Sequence, residues 1–307
     1  MLTHLLPFIF VLLWSSAFVS AKIGLEYATP FAFLGVRFFI TFLLFGLIMV
    51  VLYLWSSKQV TSSQIGVSQA APSQARSDAA KDPILATAIV GLLLHGGYLG
   101  ASFYAMASGL GSAMAALIVS TQPLLTTTLA IFLFAEMPTR LQWTGIGFGF
   151  IGVVLALWPS LSIDPPVTGI VASLVALISI TIGTLLHKRL GGKISLMKSN
   201  MIQALSASLF FGILVLTVEV PAIDWAAPFI YSLSWQILAV STGAYVILMI
   251  MIKRKTVAAT TSYLFLVPPT TAIIAYFGIN EPLGPIPLTG FCFAAFGVYL
   301  VTRFQKT

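Results

Sequence analysis

Arg37 is the one permanent charge set well inside a long apolar stretch, and its planar fork of donors suits a carboxylate or a phosphate. A guanidinium at the centre of a membrane helix is disfavoured by about 2.5–3.5 kcal/mol, so it must face a cavity, a partner or an anionic ligand. Two readings stand. Either Arg37 meets the anionic group of a substrate, or it caps backbone carbonyls or snorkels outward from a place about two turns into its helix. His95, flanked by Gly96, Gly97 and Tyr98, is able to titrate near neutral pH. It is a candidate proton carrier or substrate partner, or else a neutral histidine satisfied by a neighbouring helix. Trp14-Ser15-Ser16 joins a large aromatic face to two hydroxyls, and Tyr98 and Tyr245 are further amphipathic candidates for stacking or hydrogen bonding a substrate.

Proline adds a second kind of signal. Pro123 and the pair Pro268-Pro269 each fall inside an apolar run, where proline removes an intrahelical hydrogen bond and frees a carbonyl that lipid cannot satisfy. Gln122 adjoins the first break and Tyr263 precedes the second by about one and a half turns of helix, which makes both candidate substrate contacts. The alternative is a purely structural kink. Other chemistry lacks the residues it needs. No Asp or Glu falls in the middle of a predicted span, and the sequence has no P-loop, no Gly-x-Ser-x-Gly turn and no His or Cys pair spaced for a metal. Neither an enzyme nor a cofactor or metal is expected, and Cys292, the only cysteine, reads as a packing residue.

The elements that position these residues follow from composition. Of 307 residues 59% are hydrophobic and 7% charged, against about a quarter charged in a soluble domain. Mean hydropathy is +1.03, so lipid must be the solvent for most of the surface. A span needs roughly 20 apolar residues, and the sequence predicts ten, near 5–21, 30–54, 83–107, 112–134, 140–159, 167–187, 196–218, 233–252, 256–278 and 284–302. The fold class is therefore an all-α membrane protein. The first run is as long as a span and has no Lys or Arg before it, so a cleaved leader is not expected. Residues 56–82, rich in Ser, Gln and Ala, read as a disordered cytoplasmic insertion.

With the N-terminus inside, thirteen Lys and Arg fall on inner connections and the tail, and Lys22 alone falls outside. That asymmetry places both termini in the cytoplasm. The net charge of +7 then reflects topology, and no nucleic-acid partner is needed to explain it. Trp55, Trp143, Trp158, Trp225 and Trp235 near span ends read as interface anchors.

A repeat at an offset of 145 pairs Pro123 with Pro268, Glu136 with Glu281, Gly145 with Gly290, Phe148 with Phe293 and Gly152 with Gly297. Glu136 ends the fourth span inside and Glu281 ends the ninth outside. The chain is thus expected to consist of two inverted five-helix repeats, residues 1–160 and 161–307. Earlier in each half the match is weaker: an offset of 166 pairs Arg37 with Gln203. Inverted, broken helices point to a carrier working by alternating access, with its site between the halves.

Several stretches resemble the EamA family of the drug/metabolite transporter superfamily. They are WSSAFVSAKIGLEYATPFAFLGVRF (14–38), GGYLGASFYAMASGLGSAMAALIVSTQPLLT (96–126), TGIGFGFIGVVL (144–155) and YLFLVPPTTAIIAYFGINEPLGPIPLTG (263–290). The resemblance implies a ten-helix inner-membrane carrier of small metabolites, often an exporter of amino acids or related amphipathic compounds, with a cavity between the repeats. Expected partners are a small-molecule substrate and the lipid bilayer; substrate and oligomeric state are left open. The competing expectation is a non-transporting multi-pass receptor or scaffold whose basic cytoplasmic loops hold a partner.

Overall fold

A computed structural model describes residues 2–61, 83–110, 118–135, 137–158, 166–190, 194–254, 257–279 and 285–303. Because these segments are apolar on every side, lipid forces their backbone groups to pair internally, and helices satisfy that demand within one segment. We label the helices α1 (Leu2–Leu25), α2 (Pro30–Thr61), α3 (Pro83–Ala107), α4 (Gln122–Phe134), α5 (Arg140–Leu157), α6 (Val167–Leu190), α7 (Leu196–Thr217), α8 (227–254), α9 (257–279) and α10 (Pro285–Arg303). Among the described residues the β structure is confined to an isolated bridge between Ala28 and Ile223.

Six of these helices, α1, α2, α3, α6, α7 and α8, are long and apolar enough to cross a membrane, whereas α4 and Leu288–Val301 of α10 are shorter apolar helices. Proline accounts for part of the difference from ten full-length spans. Pro123 stands at the start of α4, just after a turn at Ser120–Thr121, so it opens a helix where the sequence suggests a kink within one. In α9 an α-helical piece, Val257–Ser262, gives way to a 3-10 turn, Tyr263–Leu266, before the next α-helical piece, Val267–Ile279, which carries Pro268-Pro269 in its first turn. One boundary is corrected. α2 continues to Thr61, so residues 56–61, expected in the insertion, are helical; residues 62–82, Glu136 and Glu281 lie outside the described residues.

Two helices widen into π-helical turns, α3 over Leu92–Gly97 and α8 over Gln236–Ala244. Helix α5 runs along α10, α6 along α3 and α2 along α7, the three most extensive pairings; α1 rests on α8 and α9, and α6 also on α4. The α5–α10 seam is built on glycine. A methyl group on Gly145 would lie 2.7 Å from the Gly297 carbonyl oxygen and one on Gly152 would lie 2.6 Å from that of Gly290, while the Phe148 and Phe293 rings meet at 5.9 Å.

The connections 26–29 and 218–226 clasp one another at one face of the bundle. Thr29 N donates to Ala222 O at 3.0 Å and Asp224 N to Tyr27 O at 2.7 Å. The Glu219 carboxylate accepts from Thr29 Oγ1 at 2.8 Å, Ala32 N at 2.6 Å and Phe31 N at 3.3 Å, so it caps the N-terminus of α2 from another element. Beneath this clasp one apolar cluster gathers Phe31, Phe33, Phe38, Phe211 and Phe229, and a second gathers Phe10, Trp14, Tyr98, Tyr245 and Phe265.

Candidate functional site

Glycines let α3 come close to its neighbours and set the depth of the site. A methyl group at Gly96 would meet the Phe210 ring at 2.9 Å, and one at Gly97 would collide with the Ser179 side chain. Held this way, the π turn of α3 presents His95 and, just past it, Tyr98 and Ser102 to a cavity of about 530 Å³, counting the space at its mouth. Trp14, Ala17, Phe18 and Ala21 of α1 form the opposite wall. Arg37 of α2 and Gln236, Val240, Ser241 and Tyr245 of α8 complete it. π turns occur disproportionately at functional sites, and here both contribute lining residues.

Arg37 is buried, 3% exposed, and its Nε donates to Ser241 Oγ at 3.0 Å. Its guanidinium carbon stands 5.1 Å from the centre of the Phe38 ring. Among the described residues lining the cavity there is no Asp or Glu, so the cation has no ionic partner there. The snorkelling alternative does not describe this side chain, which turns inward. His95 lies between the rings of Phe38, at 4.5 Å, and Tyr245, at 4.4 Å.

Three buried polar atoms on this wall lack a hydrogen-bond partner: His95 Nδ1, Ser102 Oγ and Gln236 Oε1. Buried polar groups are nearly always paired, so three orphans around one cavity mark a place for a ligand or water. The Gln236 amide is oriented by its Nε2, which donates to Ala17 O at 2.8 Å. Tyr245 is committed elsewhere, since its hydroxyl donates to Gln203 Oε1 at 2.5 Å, and Gln203 Nε2 donates to Ser199 Oγ at 2.9 Å.

The Trp14 and Tyr98 rings lie parallel, 3° apart in plane and 6.5 Å between centres. They also border a second recess of about 300 Å³ lined by Ser120, Ile180, Leu264, Val267 and Pro268. Of the residues singled out by sequence, Trp14, Arg37, His95, Tyr98 and Tyr245 meet in the larger cavity and Pro268 lines the smaller recess. Gln122, Pro123, Pro269 and Tyr263 are buried and line neither. Gln122 Nε2 instead donates to Thr184 Oγ1 at 3.2 Å. Ser15 ties α1 to the break in α9, donating to Val267 O at 3.2 Å while its carbonyl accepts from Thr271 Oγ1 at 3.3 Å. Trp235 is more than an interface anchor, since its Nε1 donates to Ser16 Oγ at 2.9 Å.

Sequence reasoning passed over Ser102, Gln236 and Ser241. Gln236 and Ser241 are polar positions inside an otherwise apolar run, and a census of uncharged polar residues within spans would have flagged them. Among the described residues no group of three or more His, Cys, Asp and Glu side chains is placed to hold a metal ion.

Comparison with known proteins adds to this geometry. The model of the EamA-like transporter family matches residues 1–158. Over 99% of this chain and 92% of its own length, a Bacillus subtilis protein named "Uncharacterized transporter YvbV" is 24% identical. An Escherichia coli K12 protein named "Uncharacterized inner membrane transporter YedA" is 26% identical over 96% of this chain and 89% of its own. A solved crystal structure, 17% identical, superposes with a TM-score of 0.73 over 99% of both chains, a likeness of fold alone.

Proposed function

This chain belongs to the EamA-like transporter family, and from that premise we propose that it is an ATP-independent carrier exporting a small amphipathic metabolite by alternating access. The observation that carries the proposal is the cavity. Its walls come from α1, α2 and α3 and from α8, hence from both proposed halves, 1–160 and 161–307, and it holds one buried cation with three unpaired polar atoms. A pocket lined mainly by apolar and aromatic groups, with a few convergent polar ones, is the form a small-molecule site takes.

Inversion of the two halves has its support in the α5–α10 seam. At the offset of 145, Gly145 corresponds to Gly290 and Gly152 to Gly297. The contacts cross over, Gly145 to Gly297 and Gly152 to Gly290, while Phe148 meets its own counterpart Phe293. Such exchange of partners is what a two-fold axis imposes on equivalent surfaces. The pairings of α1 with α8 and α9, repeated by α6 with α3 and α4, follow the same correspondence. With cations concentrated on the inner side, both termini are cytoplasmic in the inner membrane and the clasp of 26–29 with 218–226 faces outward. The cavity then lies in the outer half of the bundle.

Purified protein in liposomes, assayed for efflux of labelled amino acids, organic acids, nucleotides and drugs, tests the proposal. Saturable flux of at least one solute, lost in Arg37→Ala while the variant still elutes as folded protein, is the expected result. No flux of any solute, with a soluble partner captured by the basic loops, favours the receptor or scaffold reading.

A further inference from the structure

The charge balance of the cavity narrows its ligand. Among the described residues lining it, Arg37 is the single charged side chain, and an arginine does not give up its proton inside a protein. Among the described residues the acids are Glu26, Glu219 and Asp224, all in the connections 26–29 and 218–226. The position paired with Arg37 in the other half is Gln203, a neutral residue already bonded to Tyr245 and Ser199. The empty site therefore carries one uncompensated positive charge in a medium that penalises it.

A zwitterion would leave that charge in place, and a cationic amphiphile would double it. A monoanion cancels it. The uncharged groups agree with this choice. Gln236 Oε1 is an unpaired acceptor, and Ser102 Oγ is unpaired; together they suit one ligand hydroxyl or amide N–H beside the carboxylate. An ammonium brings three donors and a charge, and the described residues lining the cavity offer no anionic partner for it. Phe18, Leu99, Phe103 and Met106 supply an apolar wall for the rest of the molecule.

We infer that the cavity takes a monocarboxylate with an apolar body and no fixed positive charge, and that its movement is driven by the membrane potential without a coupling ion. This rests on the carrier reading above. The loaded site is neutral and the empty site is positive, so the loaded step moves no net charge and the return of the empty site carries one positive charge inward, equivalent to one negative charge exported per cycle. An inside-negative potential pulls that return step, and with it the whole cycle, in the export direction. The sequence accordingly manages without a carboxylate relay in its spans.

Three probes share an isobutyl body and differ in charge: 2-hydroxy-4-methylpentanoate, leucine and leucinamide at a pH where its amine is protonated. Each is loaded into liposomes bearing the full chain, and the potential is set with valinomycin and potassium. The hydroxy acid is expected to move at least tenfold faster than leucine, with leucinamide at the rate of protein-free vesicles. At about 100 mV the hydroxy acid should settle at a roughly fifty-fold ratio away from the negative side, whichever way the protein is inserted. In Arg37→Gln its flux should fall to background. Leucine moving as fast as the hydroxy acid overturns the inference, because the aromatic walls would then be holding an ammonium. A hydroxy-acid distribution indifferent to the potential overturns it as well. If none of the three moves while another solute does, this inference fails and the carrier stands; if no solute moves at all, both fail.

Discussion

Substituting alanine at two glycines of α5 should shift stability in opposite directions. At Gly152 the new methyl group would collide with Ala294 N and stand 2.6 Å from Gly290 O and 2.9 Å from the Ala294 Cα, all backbone atoms of α10. Ordinary carbon contacts sit at about 3.5–4.0 Å, so the helices must part by roughly 1 Å, which forfeits a quarter to a half of each contact they share. Overpacking of this kind costs about 1–3 kcal/mol. Better helix propensity returns about 1 kcal/mol, leaving a net loss of up to about 2 kcal/mol. At Gly147, one turn and a half earlier on the same helix, nothing lies within 4 Å of the added methyl group. There only the propensity gain remains. The two variants thus differ by the overpacking cost, about 1–3 kcal/mol, and their unfolding midpoints, read as the fraction of detergent-solubilised protein that stays monodisperse after heating, should separate by several degrees with wild type between them. A Gly152→Ala midpoint at or above that of Gly147→Ala would refute the reasoning, because the seam would then yield without cost.

Three further outcomes are expected. Tyr245→Phe removes the donor to the fully buried Gln203 Oε1 and should destabilise by about 1–3 kcal/mol, checked by the same heating assay; Tyr245→Phe with Gln203→Leu should recover part of that loss. Glu219→Ala strips three acceptor contacts from the start of α2, and with partial exposure discounted should cost about 1–2 kcal/mol, Glu219→Gln less; equal midpoints for all three proteins would remove the cap from the account. Thr139→Ala breaks the capping box in which Thr139 Oγ1 accepts from Gln142 N at 3.2 Å and Thr139 N donates to Gln142 Oε1 at 2.8 Å, for a loss of about 1 kcal/mol measured alongside Arg140→Ala, which keeps the box.

How far the sequence reveals the fold depends on whether a residue carries a contrast against its surroundings. Arg37 is conspicuous because lipid tolerates few charges, and the glycines shared by α5 and α10 are conspicuous because they recur at one offset. The π turns of α3 and α8 leave no such mark. These helices are apolar nearly all round, so a slip in their hydrophobic period changes nothing visible in composition, and Gln236 and Ser241 enter the cavity unannounced. Pro123 shows the converse: its type is legible, yet whether it kinks a helix or starts one depends on the turn at Ser120–Thr121 just before it. The role of Glu219 was invisible for a different reason, since a carboxylate in a connection gives no hint that it caps a helix 187 residues away in the chain at Ala32.

The π turns of α3 and α8 also bear on how the cavity can change shape. A π turn takes in more residues per turn than an α turn, so each of these helices is foreshortened relative to its residue count. Rewinding one to α geometry would lengthen it along its axis and swing the side chains beyond the turn around it. In α8 those are Tyr245 and the residues after it; in α3 they are Tyr98 and Ser102. The slack sits at the level of the cavity, in helices drawn from both proposed halves, so a travel of one helix against its neighbours can be taken up inside that helix while the clasp and the glycine seam stay closed.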